Sequence, residues 1–83
     1  SPSHFSALFK RHTGKTFVEF LTGVRVRQAS MLLKTTNLCA YEVAESVGYE
    51  DSHYFSQVFK KITGMTVREY RSMISASSEG GVG

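Results

Sequence analysis

An all-α fold is predicted, built as tandem helix-turn-helix units joined by a long connecting helix, with the first unit incomplete. Three observations predict it. Residues 40–64, AYEVAESVGYEDSHYFSQVFKKITG, hold two short runs with helical apolar spacing on either side of Gly48. Sliding the chain against itself by fifty residues superposes Phe5, Ser6, Phe9, Lys10, Thr13, Gly14, Thr16 and Glu19 on Phe55, Ser56, Phe59, Lys60, Thr63, Gly64, Thr66 and Glu69. That is eight identities in sixteen aligned positions, and Arg11/Lys61 and Phe20/Tyr70 are conservative pairs beside them. Between the two copies runs an uninterrupted amphipathic stretch of helix length. The only proline is Pro2, so nothing breaks these helices.

The first element, residues 1–14, is expected to be a helix from about Ser3 to His12, with Ser1 or Ser3 as N-cap and Gly14 as a left-handed C-cap. Phe5, Leu8 and Phe9 form its apolar face. The repeat makes it the second helix of a helix-turn-helix whose partner, the counterpart of residues 40–47, would precede Ser1. That partner would cover Phe5, Leu8 and Phe9. The first unit is therefore expected to be poorly packed, or covered by a neighbouring molecule, because exposed apolar area costs roughly 25 cal/mol per Å².

Residues 15–37 form the connecting segment, with a helix over about 17–34. Thr16 and Glu19 have capping-box spacing. Phe17, Phe20, Leu21 and Val24 open its apolar face, and Ala29, Leu32 and Leu33 continue it. Gly23 lowers helix propensity by about 1 kcal/mol relative to Ala, which suggests a close helix contact there. Thr35, Thr36 and Asn37 close the helix.

Residues 38–64 are the complete second unit. Ala40, Val43, Ala44 and Val47 line one face of its first helix. Gly48 supplies the sharp exit, and Phe55, Val58, Phe59 and Ile62 line the second helix. Cys39 is read as a small packed residue. Residues 65–74 are a closing helix behind a second box, Thr66 with Glu69, carrying Val67, Tyr70 and Ile74. The tail, residues 75–83, reads SASSEGGVG after Ile74 and is expected to be disordered from its Ser and Gly content.

Composition bounds function loosely. Eighty-three residues with 41% apolar content make one small globular domain, and a net charge of +3 permits a nucleic-acid partner without demanding one. A single cysteine excludes an internal disulfide and a Cys-rich metal site. Neither a membrane-spanning run nor a signal-peptide core is present, which points to the cytoplasm and to no membrane partner. No phosphate loop, nucleophile elbow or paired ligand motif is present, so no enzyme activity, cofactor or metal is expected.

The polar stripe opposite the apolar face of the second helix is the candidate site. Gln can bond adenine in bidentate fashion, Ser is permissive, and His can donate to guanine or phosphate. A solvated helix face is the plain alternative for any such stripe. Its occurrence on a motif with two matched basic ends favours contact with base edges.

These residues together resemble the DNA-binding domain of AraC/XylS-type bacterial transcription regulators. The resemblance rests on Phe9-Lys10-Arg11-His12-Thr13-Gly14, on Arg25 with Ala29, Leu32 and Leu33, and on Val43-Ala44, Val47-Gly48-Tyr49 and Tyr54-Phe55-Ser56. Val58-Phe59-Lys60-Lys61 and Thr66 with Tyr70-Arg71 complete it, with Val67 where that pattern has proline. It implies homeodomain-like units, with two recognition helices in successive major-groove segments of double-stranded DNA. On that basis Ser52, His53, Ser56 and Gln57 are expected to touch bases, and Ser3, Ser6 and Ala7 to do so more weakly in the first unit. Lys60, Lys61, Lys10 and Arg11 are expected on phosphates. Arg25 would bond backbone carbonyls or helix ends within the domain. His12, aligned with Ile62, would be packed and half-buried. The resemblance also implies a fused N-terminal sensor or receiver domain, and contact with RNA polymerase near the turn that carries Glu42, Glu45, Glu50 and Asp51. A helical protein-interaction module that has lost DNA binding is the alternative function. The operator, the effector and the sign of regulation lie outside these residues.

Overall fold

A computed structural model describes the backbone of residues 2–82 and the side chains of residues 4–76. Among the described residues the chain is five helices without a strand: α1 (Pro2–Thr13), α2 (Phe17–Thr35), α3 (Ala40–Ser46), α4 (Ser52–Thr63) and α5 (Val67–Val82). The molecule is elongated, 54 × 26 × 18 Å. The side chain of Ser3 and those of the Ser/Gly-rich segment beyond Ala76 lie outside the described residues.

The fifty-residue repeat is a repeat of structure. Helices α1 and α4 are each 12 residues long and end on glycines with φ of 77° and 81°. Thr13 Oγ1 donates to the Phe9 carbonyl at 2.8 Å and accepts from the Lys15 amide at 3.2 Å. Thr63 makes the same pair with Phe59 and Met65 at 2.8 and 3.1 Å. Both capping boxes form: Glu19 N donates to Thr16 Oγ1 at 3.0 Å and Thr16 N to Glu19 Oε1 at 3.2 Å, and Thr66 with Glu69 does the same at 3.0 and 2.8 Å. Local sequence writes these ends, because each cap satisfies helix-terminal N–H groups that have no intrahelical partner.

Packing separates the two copies. The buried apolar residues are Val26, Ala29 and Leu33 of α2, Val43 and Ala44 of α3 with Val47 at its end, Phe55 and Phe59 of α4, and Val67 and Tyr70 of α5. All lie from Val26 onward. Phe55 and Phe59 are fully buried, whereas their counterparts differ: Phe5 is 56% exposed and Phe9 half-buried. Phe17 and Phe20, expected in the core, are exposed. They form instead an aromatic cluster with Phe5 and Phe9, with ring centroids 5.5–6.1 Å apart, between α1 and the start of α2. The expected weak packing of the first unit is what the structure shows.

Six further expectations are corrected. Ile62 is 48% exposed, because the facing stretch of α2 is Thr22 and Gly23, which leaves a groove of about 450 Å³ between α2 and α4. Gly23 accordingly marks no close contact: a Cβ there would meet nothing within 4 Å. His12 is exposed, like the Ile62 it aligns with. Cys39 is exposed and precedes α3, its amide donating to Glu42 Oε1 at 3.1 Å. Arg25 lies over the Tyr49 ring at 5.2 Å, its guanidinium against the backbone of Gly48. The φ of 101° favours glycine at position 48, and a Cβ there would lie 3.1 Å from that guanidinium, which would have to shift by a few tenths of an ångström. Finally, α5 runs to Val82, past the expected end at Ile74. Residues 75–78, SASS, contain neither Gly nor Pro, so nothing stops the helix at Ile74, and its backbone continues through Gly80 and Gly81.

Candidate nucleic-acid interface

The α3–α4 unit positions the candidate surface. Val43, Ala44 and Val47 close over Phe55 and Phe59, and Tyr49 in the turn stacks on Phe55 at 5.5 Å. Arg71 of α5 donates to the Leu38 carbonyl, tying α5 to the entry of α3. Asp51 starts α4: its Oδ1 accepts from the amides of His53 at 2.9 Å and Tyr54 at 3.2 Å. Reading Asp51 only as part of an acidic patch misses this role. The signal was available, since Asp directly before an amphipathic run is a favoured N-cap.

With Phe55 and Phe59 turned inward, His53, Gln57, Lys60 and Lys61 occupy the exposed face of α4, and Ser52 and Ser56 sit half-buried along its edge. Gln57 Nε2 lies 3.4 Å from His53 Nε2, so the amide can donate to a neutral imidazole and align the two side chains one turn apart. The fold thus gathers the four polar residues on one helix, with His53 and Gln57 central and the serines peripheral. Lys60 and Lys61 stand in the last turn, where cations also suit the helix dipole.

In the first copy Ser6, Ala7, Lys10 and Arg11 are exposed along α1. Ala7 takes the place of Gln57, so α1 presents the basic end without the hydrogen-bonding centre. The two helices are joined in sequence through α2, whose 19 residues span about 28 Å at 1.5 Å per residue; α1 packs on its start, and Lys61 and Ile62 of α4 face its first half. Successive turns of a DNA groove are about 34 Å apart.

The acidic patch dissolves into separate tasks. Glu42 accepts from the Cys39 amide, which holds its carboxyl below the ordinary glutamate value. Glu45 bonds the Tyr41 hydroxyl and pushes that phenol up, and Asp51 caps α4. Among the described residues no group of three or more His, Cys, Asp or Glu is arranged to hold a metal ion. No helix there is long and apolar enough to cross a membrane.

A tandem arrangement of this kind, with polar, basic-ended second helices, defines a helix-turn-helix DNA-binding domain. A family profile described as a helix-turn-helix domain matches residues 1–73. The chain is 40% identical over 72 residues to the arabinose operon regulatory protein of Escherichia coli K12, covering 87% of this chain and 25% of that one. It is 38% identical over 82 residues to the transcriptional regulatory protein YesN of Bacillus subtilis, covering 96% of this chain and 22% of that one. Among solved structures, the C-terminal domain of the two-component response regulator yesN from Fusobacterium nucleatum superposes with a TM-score of 0.83 at 42% identity, over 86% of this chain and 69% of that one. The C-terminal domain of AraT, a response regulator from Geobacillus stearothermophilus, gives 0.86 at 41%, over 88% and 60%. The chain belongs to the AraC/XylS-type helix-turn-helix family of bacterial transcription regulators. It spans about a quarter of the length of the curated relatives it matches.

Proposed function

We propose that this chain is the sequence-specific DNA-reading part of a cytoplasmic transcription regulator, with α4 in the major groove of double-stranded DNA and α1 one helical turn away. The observation that carries this reading is the structural repeat: two 12-residue helices with matched basic ends, joined through α2. Base readout falls mainly on His53 and Gln57, with Ser52 and Ser56 at the margin. Ser3, Ser6 and Ala7 contribute less. Lys60, Lys61, Lys10 and Arg11 neutralise phosphates, which supplies affinity without sequence information. A sensor or receiver domain in the full-length protein is part of the proposal, supported by relatives whose matching part is the C-terminal domain of a response regulator.

The alternative, a protein-docking module, draws on the acidic patch. Three of its four carboxylates are engaged within the domain, which leaves Glu50 as the residue there for a partner such as RNA polymerase. A salt titration of duplex binding separates the two readings. A steep fall in affinity with salt is expected for DNA binding; failure to bind any duplex at low salt would overturn it in favour of a protein partner.

A further inference from the structure

We propose that Arg68 holds a backbone phosphate beside the groove that α4 enters, a contact that rests on the DNA reading above. Arg68 stands in the first turn of α5 and lines an open depression of about 790 Å³ together with Ser56 of α4, Thr66, Arg71 and Ser72. The depression thus sets two guanidinium groups and four hydroxyls, that of Ser56 among them, beside the recognition helix, with alanine and valine side chains completing its lining. Arg71 is committed to the Leu38 carbonyl. Arg68 is exposed, and among the described residues it makes no hydrogen bond or ion pair.

The repeat supplies an internal control. Arg68 aligns with Val18, behind the same Thr-x-x-Glu cap and in the same first turn of a helix. The local structure therefore forms without a guanidinium at this position. A cation there is also at the unfavourable end of the helix macrodipole, so the fold gains nothing from the charge. An anion at the flank of α4 would use it, and the anion lying along the flank of a recognition helix in a groove is the DNA phosphate. The first unit, with Val18 at that position, lacks the contact, in line with its weaker α1 surface.

The test measures binding of the chain to two duplexes of unrelated mixed sequence, each about three helical turns long, across a salt series. Arg68→Gln is expected to lower the slope of log K against log salt by about 0.9, the effect of one phosphate contact, and to weaken both duplexes equally. Arg68→Lys should keep the slope, and the circular dichroism of both variants should match the parent. Parent-like binding by Arg68→Gln overturns the proposal, as does a loss confined to one duplex, which would mean base contact. If the unsubstituted chain binds neither duplex at low salt, the DNA reading itself fails and Arg68 falls with it.

Discussion

Gln57 lies at the centre of the exposed face of α4, one turn from His53 and aligned by it. Its amide can donate and accept at once, which suits an adenine edge. Gln57→Ala is expected to relax preference at one base pair by about 1–3 kcal/mol, seen as a flattened base preference in duplex selection. Lys60→Ala should weaken all sequences alike and reduce the salt slope by about 0.9, read by the same titration on cognate and mixed duplexes. The core shows the opposite kind of residue. Phe59 is fully buried against Phe55 and Tyr70, so Phe59→Ala should cost about 3–5 kcal/mol in urea unfolding. Phe5→Ala, at an exposed position, should cost a small fraction of that. Spacing alone places both phenylalanines in a core. It does not say which neighbours each helix meets, and that decides between them.

Helices α2 to α5 each begin at a side chain that bonds the backbone within three residues, and the glutamates among these caps carry the acid response. The carboxyls of Glu19, Glu42 and Glu69 are held below the ordinary glutamate value by hydrogen bonds with the backbone N–H groups of Thr16, Cys39 and Thr66. A lowered carboxyl pKa stabilises the fold above the unfolded-state value of about 4.3, and that contribution is lost as pH falls through the folded value. Helicity followed by circular dichroism should therefore decline as pH drops below about 4.3. Glu69→Gln, which keeps an acceptor but no charge, should remove part of the decline. For α4 the decisive cap is Asp51. Asp51→Ala is expected to lower stability by about 1 kcal/mol, and to weaken DNA binding beyond that by fraying the turn that carries His53. Threonine, aspartate and glycine at helix ends act within four residues, so sequence suffices to find them. Arg25 meets Tyr49, 24 residues away, and Ile62 depends on what α2 presents 39 residues away; local spacing misplaced Ile62 for that reason.

Across the whole molecule, stability is distributed unevenly. The buried residues begin at Val26, and the aromatic cluster of Phe5, Phe9, Phe17 and Phe20 holds α1 to α2 without enclosing it. Amide exchange should accordingly be fast in α1 and slow in α3 and α4; uniform protection of α1 and α4 would contradict that picture. The better packed copy carries the hydrogen-bonding centre, and the loosely packed copy presents Ala7 in place of Gln57.

The sequence by itself determined the helices, their caps and the fifty-residue repeat, because all three follow from periodicity and contacts a few residues apart. It also placed the polar stripe of α4, since the opposite face of an amphipathic helix is implied by its apolar one. Tertiary structure alone decided which copy is closed, that Gly48 faces Arg25, and that Arg68 shares a depression with Ser56. Those facts depend on which helix lies against which, and two segments with the same local pattern can meet different neighbours.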